Sequence, residues 1–204
     1  MSRRLRLDAE LVRRGLARSR DHASSLIDDG LVLVGGARAV KAATGVTTDQ
    51  AIVVKQTDEP SWASRGAHKL LGALAEFEPR GLAVAGRRCL DAGASTGGFT
   101  DVLLQRGAAE VVAVDVGYGQ LVWSLRSDDR VRVHDRTNVR HLGADDIGGP
   151  VSLVVSDLSF ISLTVVMSAL ASLTEQSGDM VLMVKPQFEV GRERLGKGGV
   201  VRDP

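Results

Sequence analysis

The chain has one cysteine, few aromatic residues, no long apolar run and almost no net charge, and each shortage closes off a class of explanation. A lone Cys89 excludes an internal disulfide and a cysteine-built zinc cluster. It sits in an apolar strand pattern where a small buried side chain fits, which makes it structural rather than reactive. Aromatics are 3% of residues, too few for an open platform that stacks many splayed bases. No stretch approaches the roughly 20 apolar residues of a membrane span, and the basic N-terminus lacks the apolar core of a secretory signal. The sequence therefore reads as cytoplasmic, with no membrane partner. A net charge of +1 means that the whole molecule is not a polycation.

The basic residues that are present are unevenly spread. Arg3, Arg4, Arg6, Arg13, Arg14, Arg18 and Arg20 crowd the start, opposed there only by Asp8 and Glu10. A local cluster of this kind points to a polyanion, nucleic acid first. Arg4, Arg6, Arg14, Arg18 and Arg20 are the leading RNA-binding candidates, with Arg38 and Lys41 further along. Around them a small α+β unit is expected over residues 1–57. Asp8 is expected to cap a helix carrying Leu11, Val12 and Leu16 that ends near Gly15, and Ser19 to cap a second carrying Ala23, Leu26 and Ile27. "LVLVGGARAV" reads as strand, Gly35-Gly36 turn and strand, and "QAIVVK" as a further strand. A linker is placed at residues 58–63.

From residue 64 the pattern changes. Ser64 can cap a helix with Ala67, Leu70, Leu71, Leu74 and Phe77 at helical spacing, and Lys69 lies beside that stripe. Strand "CLDAG" precedes helix "GGFTDVLLQRG", strand "EVVAVDV" precedes helix "GQLVWSLR", and strand "VRVHD" follows. Then come strand "VSLVVSD", helix "SLTVVMSALASL" and strand "DMVLMVK". Apolar strands without clean alternation, interleaved with helices, give an α/β doubly wound parallel sheet. Ligands of such sheets bind beyond the carboxyl ends of the strands. At those ends stand Gly93-Ala94-Ser95-Thr96-Gly97-Gly98, then Asp115, Asp135, Asp157 and Lys185. Small residues let a ligand approach the backbone. The spacing is neither GxGxxG nor GxxxxGK[ST], which disfavours dinucleotides and nucleoside triphosphates. Asp115 suits a ribose diol and Asp135 an adenine amino group, so an adenosine cofactor without a phosphate anchor is implied, and S-adenosylmethionine fits. Asp157 and Lys185 on neighbouring strands form a polar pair at the same rim, with Asp157 orienting Lys185.

Taken together, "SRGAHKL", "CLDAGASTGGFT", "DLSFISL" and "VKPQFEVG" resemble the TlyA (hemolysin A) family of ribosomal RNA methyltransferases, and "SRDHASSLIDDGLVLVGG" resembles the RNA-binding domain of ribosomal protein S-four. The resemblance covers essentially the whole chain. It implies a Rossmann-like class I methyltransferase fold similar to the FtsJ enzymes over residues 64–204, preceded by the RNA-binding domain. It also implies transfer from S-adenosylmethionine to cytidine ribose 2′-hydroxyls, with ribosomal RNA or ribosomal subunits as partner and no metal. By position, Lys69, Asp157 and Lys185 match three members of a Lys-Asp-Lys-Glu catalytic tetrad. Gly93, Ser95 and Gly97 match the cofactor loop, and Asp115 matches the ribose acid. The resemblance places the tetrad glutamate beyond Pro204 and two further strands beside the last one. The expectation is therefore a truncated catalytic domain, with Val181, Leu182 and Val184 on an open edge and a glycine-rich tail with little to pack against. Two other readings are set beside the enzyme: a non-catalytic RNA-binding or ribosome-assembly protein, and a membrane-active hemolysin.

Overall fold

The computed structural model describes residues 4–17, 19–55, 62–196 and 198–201. It forms two compact units, Met1–Arg65 and Gly66–Pro204. In the first, β1 (Leu5–Arg6) leads straight into α1 (Leu7–Arg13), followed by α2 (Arg20–Asp28), β2 (Val32–Val34), β3 (Ala37–Arg38), β4 (Gly45–Val46) and β5 (Ile52–Val54). Strand β2 lies between β3 and β5, both antiparallel to it, and β1 pairs with β4. Gly35 and Gly36 take φ of 57° and 82°, the left-handed pair that a two-residue hairpin turn requires. Ser19 accepts a hydrogen bond from the His22 amide at 3.1 Å, which starts α2 as expected. Leu7, Leu11, Ala23, Ile27, Val32 and Val46 form the small core.

Asp8 does not cap α1. The position before the helix is Arg6, and Asp8 lies inside the first turn, buried, where its carboxylate accepts from Arg6, Arg20 and the Ala9 amide. The Arg6 guanidinium, helped by Arg20, holds this carboxyl well below the usual carboxylate range. Glu10 is also fully buried and accepts from Arg13 and Arg14 at 2.6 and 2.7 Å. Those two guanidinium groups lower its pKa from 4.5 to about 2. Because the folded value lies below the unfolded one, the unfolded chain binds more protons between pH 4.5 and about 2. The Glu10 contribution is thus complete above that window and is lost as pH falls through it. Glu10→Gln should open α1 more readily at pH 7 and flatten its acid sensitivity. Amide hydrogen exchange of α1 at pH 7 and at pH 3 reads both effects; an unchanged pH dependence in the variant would contradict the assignment.

The second unit runs α3 (Ala67–Phe77), β6 (Arg88–Ala92), α4 (Gly98–Gln105), β7 (Glu110–Val114), α5 (Trp123–Arg126), β8 (Val131–His134), β9 (Val151–Ser156), α6 (Leu163–Leu173), β10 (Thr174–Leu182) and α7 (Pro186–Glu189). Its five strands are all parallel in the order β10-β9-β6-β7-β8, the expected doubly wound arrangement with its reversal between β6 and β9. Leu90, Ala92, Val112, Val114 and Val154 pack with Val166, Leu170 and Leu173 of α6. Cys89 is buried in β6 and desolvation pushes its thiol up to about 12, so it is inert at neutral pH. Three expectations need correction. Helix α3 starts at Ala67 with Gly66 at the cap position, not at Ser64. The helix expected over "GQLVWSLR" contracts to Trp123–Arg126. The last segment is not idle: α7 returns it to α6, where the Glu189 carboxylate accepts from the Ser162 hydroxyl at 2.6 Å and the Leu163 amide at 2.9 Å. A carboxylate suits the open amides of a helix start.

Candidate active site

Parallel strands bring their carboxyl ends to one rim, and the rim of this sheet holds a cavity of about 470 Å³, a size typical of small-molecule sites. Gly93, Ser95, Asp115, Gln120, Asn138, Asp157, Ser159 and Phe160 contribute to its wall, with Val114, Val139, Ile161 and Val166 as its apolar part. Gly93 follows β6 with φ of 93°. A Cβ there would meet the Leu158 side chain at 3.3 Å and the Asp157 carbonyl at 3.4 Å, so glycine keeps the β6 and β9 ends close. Ser95 has φ of 48°, left-handed for a residue with a side chain. Its amide donates to Asp115 Oδ2 at 2.8 Å, and the Gly117 amide donates to Oδ1 at 2.7 Å. Asp115 thus ties the loop after β6 to the loop after β7, and each oxygen keeps a lone pair for a further donor. The Ser95 hydroxyl reaches Gln120 Oε1 at 3.2 Å across the mouth.

Two expected cofactor residues stand back from the cavity wall. Gly97 makes room for α5: a Cβ on it would meet Leu125 at 2.3 Å and Leu121 at 2.8 Å. Asp135 is held by Arg126, and it accepts from the Gly119 amide at 3.2 Å, which braces the loop before α5. Beneath Gly93 lies Asp91, wholly buried, with its Oδ2 accepting from the Thr100 hydroxyl at 2.7 Å. Burial raises this carboxyl to about 7; the Thr100 bond opposes the rise, and Asp115 and Asp157 add to it.

Asp157 immediately follows β9, and both sequence-selected lysines converge on it. Lys69 Nζ, from the first turn of α3, donates to Oδ2 at 2.8 Å. Lys185 Nζ lies 2.8 Å from Oδ1, while its hydrogen bonds are directed to Ser159 Oγ at 2.7 Å and the Asp157 carbonyl at 3.3 Å. Lys185 and Asp157 are mostly covered, at 17% and 18% side-chain exposure, whereas Lys69 is 46% exposed. Phe160 was not singled out from the sequence. Its φ is 64° and it is 90% exposed, with its ring 5.2 Å from that of Phe188. A bulky aromatic in the left-handed region is a strained arrangement, and nothing in the composition or spacing signals it.

In the N-terminal unit Arg4, Arg6 and Arg20 are exposed. Arg14 is turned inward: besides Glu10, it donates to the carbonyls of Thr47, Thr48 and Gln50, which fastens α1 to the loop before β5. Lys41 and Arg38 are exposed, and Arg18 lies outside the described residues.

Among the described residues no helix is long and apolar enough to cross a membrane, and no group of acidic, histidine or cysteine side chains could hold a metal ion.

The family model described as FtsJ-like methyltransferase matches residues 62–204, and the S4 domain model matches residues 5–52. The chain is 62% identical over 204 residues to the 16S/23S rRNA (cytidine-2′-O)-methyltransferase TlyA of Mycobacterium tuberculosis, covering all of this chain and 75% of that protein. It is 38% identical over 200 residues to the protein named Hemolysin A of Brachyspira hyodysenteriae, covering 98% and 81%. Among solved structures, one titled "Putative hemolysin from Streptococcus thermophilus" superposes with a TM-score of 0.71 at 41% identity, over all of this chain and 73% of that one.

Proposed function

The chain belongs to the TlyA family of FtsJ-like methyltransferases with an S4 domain ahead of the catalytic one, and on that premise we propose that it methylates cytidine ribose 2′-hydroxyls in ribosomal RNA with S-adenosylmethionine. The observation that carries this reading is the meeting of Lys69, Asp157 and Lys185 at the edge of the cavity that Gly93, Ser95 and Asp115 line. The cavity suits the cofactor: its volume is adequate, Gly93 leaves backbone exposed, Asp115 has acceptor capacity for a ribose diol, and Val114, Val139 and Val166 can cover a base. When bound, S-adenosylmethionine supplies a methyl group already activated by the sulfonium.

What remains for the protein is alignment and proton removal. Asp157 holds the two lysine side chains at fixed separation beside the rim. Lys185, the more covered of the two, is assigned the 2′-hydroxyl proton; Lys69, more exposed, is assigned the negative charge of the approaching RNA. Phe160 offers an open ring face beside them, a surface on which a displaced base can stack. Transfer of label from S-adenosylmethionine to isolated ribosomal subunits tests the reading, and absence of transfer would contradict it.

Arg4, Arg6 and Arg20 are assigned phosphate contacts. Alanine at all three should lower the log–log salt slope of RNA binding by about 2 to 3, from roughly 0.7 to 0.9 per lost contact. Because Arg6 and Arg20 also hold the buried Asp8 carboxylate, folding of the triple variant is checked by circular dichroism; Arg14→Ala should loosen the N-terminal unit with the slope unchanged, since its partners are internal. A triple variant with the wild-type slope would place the RNA elsewhere.

A further inference from the structure

Replacing the 2′-hydroxyl hydrogen with a methyl group frees one proton per turnover, and that proton must leave a covered amine. Lys185 has three protein partners: Asp157 Oδ1 at 2.8 Å, the Asp157 carbonyl at 3.3 Å and Ser159 Oγ at 2.7 Å. A carboxylate and a carbonyl only accept, so both suit the charged ammonium and neither can donate to the uncharged amine. A hydroxyl does both. Ser159 is therefore the one of these three partners that can also donate to the uncharged amine. Ser159 is also exposed, whereas the Lys185 side chain is mostly covered, so the hydroxyl stands between the amine and water.

We propose that Ser159 is a positioning and proton-relay residue that connects Lys185 to solvent. This rests on the assignment of the 2′-hydroxyl proton to Lys185. The proton on the 2′-oxygen passes to the lone pair of uncharged Nζ. The resulting ammonium then gives one hydrogen to Ser159 Oγ as the original Ser159 hydrogen leaves to a water molecule. The amine returns to its uncharged form and the hydroxyl is regenerated, so one proton is released and no other reactant is consumed.

The test compares two variants of equal shape, Ser159→Thr and Ser159→Val, which differ only in the hydroxyl. Single-turnover methyl transfer to ribosomal subunits at saturating cofactor should be about 10- to 100-fold slower in Ser159→Val than in Ser159→Thr, with cofactor affinity titrated in both because Ser159 lines the cavity. Raising the concentration of imidazole, a small proton carrier, should restore part of the Ser159→Val rate, which a packing defect would not show. A readout independent of turnover is hydrogen exchange of the Lys185 ammonium with water, followed by 15N NMR with S-adenosylhomocysteine present. It should be slower in Ser159→Val than in Ser159→Thr. If Lys185→Ala is inactive while Ser159→Val matches Ser159→Thr in transfer and in exchange, the relay is wrong and the assignment of Lys185 stands. If Lys185→Ala transfers at the wild-type rate, the underlying assignment fails first.

Discussion

Lys185→Ala should lower single-turnover methyl transfer at least about 100-fold, within the range that general base catalysis supplies, and leave S-adenosylhomocysteine affinity near the wild-type value. The separation of the two effects follows from geometry. Lys185 touches Asp157 and Ser159, not the Ser95, Asp115 and Gly117 cluster. Asp157→Asn should be nearly as severe for a different reason. It preserves size but removes the carboxylate that Lys69 and Lys185 share, and so loosens the orientation of both side chains. Calorimetric titration beside a rapid-quench assay separates chemistry from binding. A Lys185→Ala protein with near-normal transfer would remove this amine from the mechanism.

Asp115→Ala has the largest expected effect on binding. Two hydrogen bonds from a ribose diol to a carboxylate are worth about 1–3 kcal/mol, roughly 5- to 150-fold in affinity. The substitution also releases the Ser95 and Gly117 amides, which frees the strained Ser95 turn. Asp115→Asn keeps one acceptor and the side-chain volume, so its loss should be smaller. Titration of both variants with S-adenosylhomocysteine, alongside circular dichroism to verify folding, gives the result. Unchanged affinity in a folded Asp115→Ala protein would reject the ribose assignment.

Much of this site is legible in the sequence because parallel strands end where ligands bind, so the residue after each apolar run is a candidate. Asp115 and Asp157 follow β7 and β9 directly, and the periodic stripe of α3 carries Lys69 to the same place. Lys185 was expected at a strand end; β10 stops at Leu182, and Lys185 stands three residues on at the start of α7. Strand β10 begins at Thr174 with no turn after α6, and its register with β9 shifts between Thr174 and Asp179.

Contacts distant in sequence were out of reach. The Arg14 guanidinium satisfies carbonyls more than 30 residues away, and Glu189 caps a helix 26 residues earlier. A cluster of arginines in a sequence cannot tell which members face water and which stitch the fold. Buried Asp8 and Glu10 bind part of that cluster internally, so the surface charge is smaller than the count implies. Gly97 and Asp135 fit the cofactor pattern by spacing, yet their neighbours are Leu121, Leu125 and Arg126; local spacing does not reveal which elements a small residue lets together.

The most direct test of the central claim is a nucleotide-resolution map of ribose methylation in ribosomal RNA from ribosomal subunits incubated with S-adenosylmethionine and this protein, with Lys185→Ala in parallel. The account predicts new 2′-O-methyl groups confined to cytidines in the wild-type reaction and none above background with Lys185→Ala. A wild-type map identical to the no-protein control, in a preparation that binds both the RNA and the cofactor, would contradict it and leave an RNA-binding protein without this chemistry.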